Sequence, residues 1–225
     1  FEFLRAYFLS MEPRYLRTLL NHPIIEFPPG LIILRKGRTN DDIFLVVTGT
    51  VEKIRSKDDV YNVISAGGLI GEYSSIHKVP SASTFRTVSY VQALRLTGNS
   101  YSGFISKNNL NDEIARLLEN REILEQTWLF GETISPPVQN QIARSMRVHD
   151  FQGSGIALDG LSSDSIFIIH SGSIERIANN KVVDKLAPRS VFGGERIISK
   201  KGQIFDYVTA GPCRIYEVPS AEIID

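Results

Sequence analysis

The chain predicts a mainly β protein with flanking helices, built as two tandem jelly-roll-like domains joined by a helix. Three observations carry this expectation: an internal repeat, short β-rich runs punctuated by glycine turns, and helical stretches before and between the runs. Its 225 residues leave room for two ordinary domains.

The repeat is read first, because it sets the organisation of everything else. A shift of 123 residues carries Gly30, Gly37, Gly49 and Glu72 onto Gly153, Gly160, Gly172 and Glu195. The same shift carries Ile33, Asp41, Ile43, Phe44, Glu52, Ile54 and Gly71 onto Ile156, Asp164, Ile166, Phe167, Glu175, Ile177 and Gly194. These are 11 identities in a gap-free stretch of 43 residues, more than chance supplies. The expected domains are therefore 1–128 and 129–225.

Each copy opens on a short amphipathic helix, "PRYLRTLLNH" in the first and "PPVQNQIARSM" in the second. Proline suits a first helical turn, where its missing N–H has no partner to lose. Short apolar runs follow in the first copy: "IIEF", "LIIL", "IFLVV", "VEKI" and "VYNVIS". Their spacing of roughly 6–12 residues, broken by glycines, fits a jelly roll. "TFRTVS" and "VQALRLT" partly alternate, as half-buried strands do, and "FDYVTA" and "CRIYEV" stand in their places in the second copy. Between the copies, Ile114, Leu117, Leu118, Leu124 and Trp128 fall near helical spacing. Asn111 or Asp112 is a suitable cap, so one helix is expected over 110–129.

Composition excludes several function classes. Hydrophobic residues make up 42% and charged residues 22%, with a net charge of zero, so neither a basic nucleic-acid face nor an acidic tail is expected. The single Cys213 rules out an intrachain disulfide and fits a reducing compartment, so the expected location is the cytoplasm. No apolar run approaches the ~18 residues of a membrane span, and no signal peptide is visible. The chain begins at Phe1 rather than Met, which reads as the inside of a longer protein. His22, His77, His149 and His170 show no His-x-His pair, and Cys213 has no histidine partner in sequence. "GGLIGE" lacks the lysine of a phosphate loop. No catalytic constellation is present, so the expectation is a non-enzyme with no metal and no cofactor.

The glycine-punctuated strands of "FPPGLIILRKG" and "DDIFLVVTGTV", followed by a Gly-Glu turn and then a helix, resemble the cyclic nucleotide-binding domain. This is the regulatory β-roll of catabolite-activator-type proteins, protein kinase A regulatory subunits and gated channels. The resemblance implies two tandem β-rolls, each a double-stranded β-helix. It also implies a phosphate-binding cassette: Phe-Gly-Glu, a short helix, then Pro-Arg and small residues. In the family, the glutamate accepts from the ribose 2′-hydroxyl. The arginine, nine positions later, contacts the cyclic phosphate.

Carried onto this sequence, the first cassette comprises Gly71, Glu72, Tyr73, Ser74, Pro80, Ser81, Ala82 and Ser83. Ser81 stands where the family has its arginine. In the second copy the counterparts are Gly194 and Glu195, and Ile204 stands at the arginine position. Lys78, Arg86, Lys200 and Lys201 lie nearby but out of register. Losing a hydrogen bond to a charged group costs about 1.5–3 kcal/mol, or roughly 10- to 100-fold in affinity.

The expected function is a regulatory sensor module of a larger signalling protein. It would bind cAMP, cGMP or a related small ligand weakly or atypically in the first domain, and relay through hinge helices. The alternatives are a non-binding dimerisation scaffold and a cyclic-dinucleotide sensor. The resemblance further implies a homodimer through the helix 110–129 and an effector domain beyond this chain.

Overall fold

The computed structural model describes residues 1–56, 59–131, 134–159, 161, 164–194 and 205–222. Two compact units emerge. The first comprises Phe1–Arg121 with Trp128–Asn140, the second Glu122–Thr127 with Gln141–Asp225. The division therefore interleaves, where the repeat alone places it between residues 128 and 129.

The first unit begins with α1 (Glu2–Tyr7), α2 (Pro13–Leu16) and a 3-10 turn (Arg17–Asn21). Pro13 opens α2, as a residue without an N–H can. Eight strands follow: β1 (Ile24–Phe27), β2 (Ile32–Leu34), β3 (Asp42–Thr48), β4 (Val51–Ser56), β5 (Asp59–Ile64), β6 (Leu69–Ile70), β7 (Thr84–Thr87) and β8 (Val91–Thr97). The short helix α3 (Glu72–His77) lies between β6 and β7. Two four-stranded sheets form, in the orders β1-β8-β3-β6 and β2-β7-β4-β5, and every pairing is antiparallel. Val46, Ile70, Val91 and Ala93 from one sheet meet Leu34, Val51, Ile64 and Phe85 from the other in a single core. Closing two sheets over shared apolar side chains makes the roll.

Helices α4 (Gly98–Lys107), α5 (Asn111–Glu125), α6 (Trp128–Gly131) and α7 (Pro136–Ser145) follow. Thr97 caps α4, its hydroxyl accepting from the Ser100 N–H at 3.3 Å. The helix expected over 110–129 is interrupted. The Thr127 N–H and hydroxyl both donate to the Leu124 carbonyl, at 3.0 and 2.8 Å, and end α5 one turn early.

The second unit repeats the topology. Its strands are β9 (Arg147–Phe151), β10 (Ser154–Ala157), β11 (Ser165–Ser171), β12 (Ile174–Ala178), β13 (Lys181–Leu186), β14 (Val191–Phe192), β15 (Asp206–Ala210) and β16 (Cys213–Pro219). The sheet orders are β14-β11-β16-β9 and β10-β15-β12-β13, so each strand takes the place of the one eight before it. Phe167, Ile169, Phe192 and Ile215 from one sheet close on Ile174 and Tyr207 from the other. The fold class is the one expected: mainly β, with two tandem β-rolls and flanking helices.

The strand register corrects the uniform 123-residue shift. Gly49 and Gly172 obey it: both have positive φ, and a Cβ at either would strike the backbone of the facing turn. At the first turn the correspondence is different. Thr87 grips it through the Pro28 carbonyl and the Leu31 N–H, as Thr209 does through the Gly153 carbonyl and the Ile156 N–H. The glycine with positive φ inside each grip is Gly30 or Gly155, so Gly153 is not the counterpart of Gly30. Beyond β4 the shift changes again. Val51 pairs with Ile64, but Ile174 pairs with Leu186, so the second hairpin is one residue shorter.

Candidate functional site

β6 delivers the chain to Gly71, which has φ +81°. Glycine is required there for two reasons. L-residues avoid that φ, and a Cβ would press against Asn40 Nδ2 at 2.6 Å and the Asp42 carbonyl at 3.0 Å. Asn40 brackets the turn by donating to the carbonyls of Asp42 (2.7 Å) and Gly71 (3.1 Å), and its own amide oxygen accepts from the Ser74 hydroxyl. Lys78, at φ +54°, stops α3, and the Val79 N–H returns to the Ser74 carbonyl at 3.2 Å. The Lys78 ammonium pairs with Asp41 at 3.3 Å.

The cassette residues divide into two sets. Gly71, Glu72, Ser74, Ser81 and Ser83 are buried, whereas Tyr73, Pro80 and Ala82 are exposed. The Tyr73 ring lies against His77, with centroids 4.4 Å apart. Ser81 is folded into its own turn. Its N–H donates to the Arg38 carbonyl at 2.9 Å, its carbonyl accepts from the Gly37 N–H at 2.8 Å, and its hydroxyl donates to the Ser83 carbonyl at 2.7 Å. Arg86 is engaged with Glu52.

Glu72 sits at the centre of a knot that its local sequence does not announce. Its side chain is 3% exposed. The Tyr7 hydroxyl, from α1, donates to Glu72 Oε1 at 2.6 Å, and the Tyr101 hydroxyl, from α4, donates to the same oxygen. The Arg121 guanidinium, from α5, lies 3.6 Å from Oε2. Burial, and then the neighbouring Glu72 carboxylate, push both tyrosine pKa values well above 10.0. Phe8 fixes the chain end of α1 by packing on Tyr101 and Phe104, with centroids 6.1 and 5.3 Å away. Tyr7, Tyr101, Arg121 and Asn40 escape sequence reading because each comes from a segment distant in the chain and matches no motif of its own.

In the second roll the cassette register is displaced. Phe44 pairs with Ile70, and Phe167 pairs with Phe192, so the counterpart of Gly71 is Gly193. Gly193 has the matching φ of +88°. Gly194 therefore takes the place of Glu72, one residue out from the correspondence expected of Gly194 and Glu195. The shortened β12–β13 hairpin is the cause. Glu195, Lys200, Lys201 and Ile204 lie outside the described residues.

The second roll has its own buried carboxylate, Glu217 on β16. It accepts from the Ser165 hydroxyl at 2.7 Å and lies 2.8 Å from His149 Nε2. Burial raises its pKa, but these hydrogen bonds and the charges of His149 and Arg147 outweigh that and hold it below 4.5. Among the described residues, no group of three His, Cys, Asp or Glu is placed to hold a metal ion. Among the described residues, no helix is long and apolar enough to cross a membrane.

Residues 24–108 match the cyclic nucleotide-binding domain family. The chain is also similar to plant potassium channels. Potassium channel KAT3 of Oryza sativa subsp. japonica is 28% identical over 113 residues, which is 48% of this chain and 22% of that protein. Potassium channel KAT1 of the same plant is 30% identical over 91 residues, which is 39% of this chain and 13% of that protein. The chain thus spans less than a quarter of the length of either channel. Over 99% of its length it is similar in fold to cAMP-bound PfPKA-R, covering 80% of that chain, with a TM-score of 0.52 and 16% identity. The second roll repeats the topology of the first, with Gly194 at the position of Glu72.

Proposed function

We propose that the chain is a ligand-responsive regulatory module of a larger signalling protein. In this view the first roll takes a cyclic nucleotide, cAMP or cGMP, or a related small ligand, across Gly71–Ser74 and Pro80–Ser83. The observation that carries it is the Glu72 knot. One cassette residue is bonded to side chains from α1, α4 and α5. A ligand that draws on Glu72 or reshapes α3 changes what those three helices can hold. The equilibrium between helix positions then shifts by the ligand's differential affinity for them. Without the cassette arginine, affinity falls roughly 10- to 100-fold relative to an intact cassette.

A second function, an interaction scaffold with a relic cassette, has its own support. The Ser81 hydroxyl and the Glu72 carboxylate are both committed to protein partners.

Titration separates the two. Calorimetry and thermal shift would be run with cAMP, cGMP, a cyclic dinucleotide and adenosine up to millimolar concentration, beside Glu72→Gln. The sensor function expects a ligand that stabilises the parent and binds Glu72→Gln roughly 10-fold more weakly or worse. A folded parent that none of the four ligands stabilises excludes nucleotide sensing and leaves the scaffold.

A further inference from the structure

One oxygen of the Glu72 carboxylate is saturated by the protein itself. A carboxylate carries about four acceptor sites over its two oxygens, so about two on each. Both sites on Oε1 are filled: the Tyr7 hydroxyl donates to it at 2.6 Å, and the Tyr101 hydroxyl donates to it as well. Oε2 faces the Arg121 guanidinium at 3.6 Å. Rings from α1 and α4 enclose the carboxylate, Tyr7 being 1% exposed and Tyr101 fully buried. A donor on a ligand can bond Oε1 only when one of the tyrosines leaves it.

The two tyrosines are held unequally. Tyr101 lies on α4, a helix of 10 residues whose start Thr97 caps. The Gly98 N–H donates to the Asp41 carbonyl at 2.6 Å. A Cβ at Gly98 would strike Ser75 Oγ and that same carbonyl, so the first turn of α4 is pressed against α3. Tyr101 is therefore tied to the cassette helix through its own backbone. Tyr7 lies on α1, which has 6 residues and no side-chain hydrogen bond at its N-cap. A helix that short is marginal in water without tertiary contacts. Burial supplies them: Leu4 and Phe8 are buried, and the Phe8 ring meets Phe104 edge-on at 5.3 Å. The Ser10 hydroxyl adds an exposed contact to Glu113 on α5 at 3.0 Å. Apolar burial has no direction of its own. The Tyr7–Glu72 bond is a directional tie from α1 to the cassette.

We propose that Tyr7 is a built-in competitor for Glu72, and that α1 is a latch which a ligand must lift. The ligand class is a small molecule that offers Oε1 a hydroxyl donor of its own, as the ribose 2′-hydroxyl of a cyclic nucleotide does. This rests on the sensor function proposed above. One neutral O–H donor replaces another on the same oxygen, while Tyr101 and Arg121 stay. Apparent affinity is then reduced by the fraction of molecules whose latch is open. The displaced Tyr7 carries α1 with it, so binding is read out at the N-terminal helix. The competing role for Tyr7 is structural, its hydroxyl serving only to satisfy a buried carboxylate.

The test titrates the parent, Tyr7→Phe and Phe8→Ala calorimetrically with cAMP and with 2′-deoxy-cAMP, and thermal unfolding checks that each is folded. Tyr7→Phe removes the competing donor. Phe8→Ala loosens α1 and keeps both hydroxyls. The expected result is cAMP bound roughly 10-fold more tightly by each variant than by the parent. The deoxy nucleotide has no donor for Oε1, and its affinity would stay within about 2-fold of the parent value. Hydrogen exchange reads the unaltered chain: saturating cAMP should speed exchange across α1, and 2′-deoxy-cAMP should leave it unchanged. Where Phe8→Ala fails to fold, Tyr7→Phe and the exchange measurement decide. Unchanged or weaker cAMP binding in Tyr7→Phe would overturn the latch, with the sensor function intact. Equal tightening for both nucleotides would overturn it too, because competition at Oε1 discriminates between them. Slower exchange of α1 with cAMP would do the same. If the parent and both variants bind neither nucleotide, the sensor function falls with the latch.

Discussion

Glu72 is a buried carboxylate whose neighbours decide its character. Two tyrosine hydroxyls share one oxygen, and Arg121 sits beside the other. Breaking a buried charged group's hydrogen bond costs about 1.5–3 kcal/mol. Tyr7→Phe and Tyr101→Phe are each expected to lower unfolding free energy by about that amount, checked by urea denaturation at neutral pH. The double variant should lose less than the sum, because both hydroxyls serve Oε1. The pH dependence follows from the raised tyrosine pKa values. A group whose folded pKa is raised contributes fully below its unfolded value, and that contribution fades as pH climbs through the folded one. The parent should therefore hold this stability up to pH 10.0 and lose it above. The double phenylalanine variant should show a flatter alkaline limb.

At the scale of elements, the hairpins hold the repeat together and also set it out of step. Gly49 and Gly172 turn β3 into β4 and β11 into β12 at φ +90° and +79°. A Cβ at Gly49 would meet the Tyr90 carbonyl, and one at Gly172 would meet the Pro212 carbonyl. Neither obstacle is a flexible side chain. Gly49→Ala and Gly172→Ala are each expected to destabilise by roughly 2–4 kcal/mol, read from denaturant midpoints. Gly103, with open space around its Cβ position in α4, is the control and should tolerate alanine. The one-residue difference between the β4–β5 and β12–β13 hairpins acts further along the chain. It moves Gly193 into the left-handed turn and puts Gly194 in the glutamate's place.

Across the whole molecule, one topology is used twice for two different interiors. The first roll ties its cassette to helices through Glu72. The second instead buries Glu217 among sheet residues Ser165 and His149. Ligand effects should follow that division. Hydrogen exchange with saturating cAMP is expected to change protection in α1, α3, α4 and the first turns of α5. The strands β9–β16 should keep their exchange rates. Equal changes in both rolls would refute a relay through Glu72.

Much of this was legible in the sequence. The repeat, the glycine turns and the strand runs are local patterns, so a tandem jelly-roll-like organisation follows from residue order, while the β-roll and the position of α3 came from the resemblance to the cyclic nucleotide-binding domain. The identity match at Gly30 and Gly153 misled for a physical reason. A turn is defined by which glycine takes positive φ inside a threonine's grip, and Gly155 is the residue that does so. The helix over 110–129 ended early because Thr127 bonds back to Leu124, a competition that apolar spacing does not report. Tertiary structure alone decided the fate of Glu72 and Ser81. The cassette resemblance makes both candidate ligand contacts, but burial demands that their polar atoms be satisfied. The partners came from wherever folding brought them. Tyr7 lies 65 residues before the glutamate it bonds, while Ser81 needed only a carbonyl two residues away.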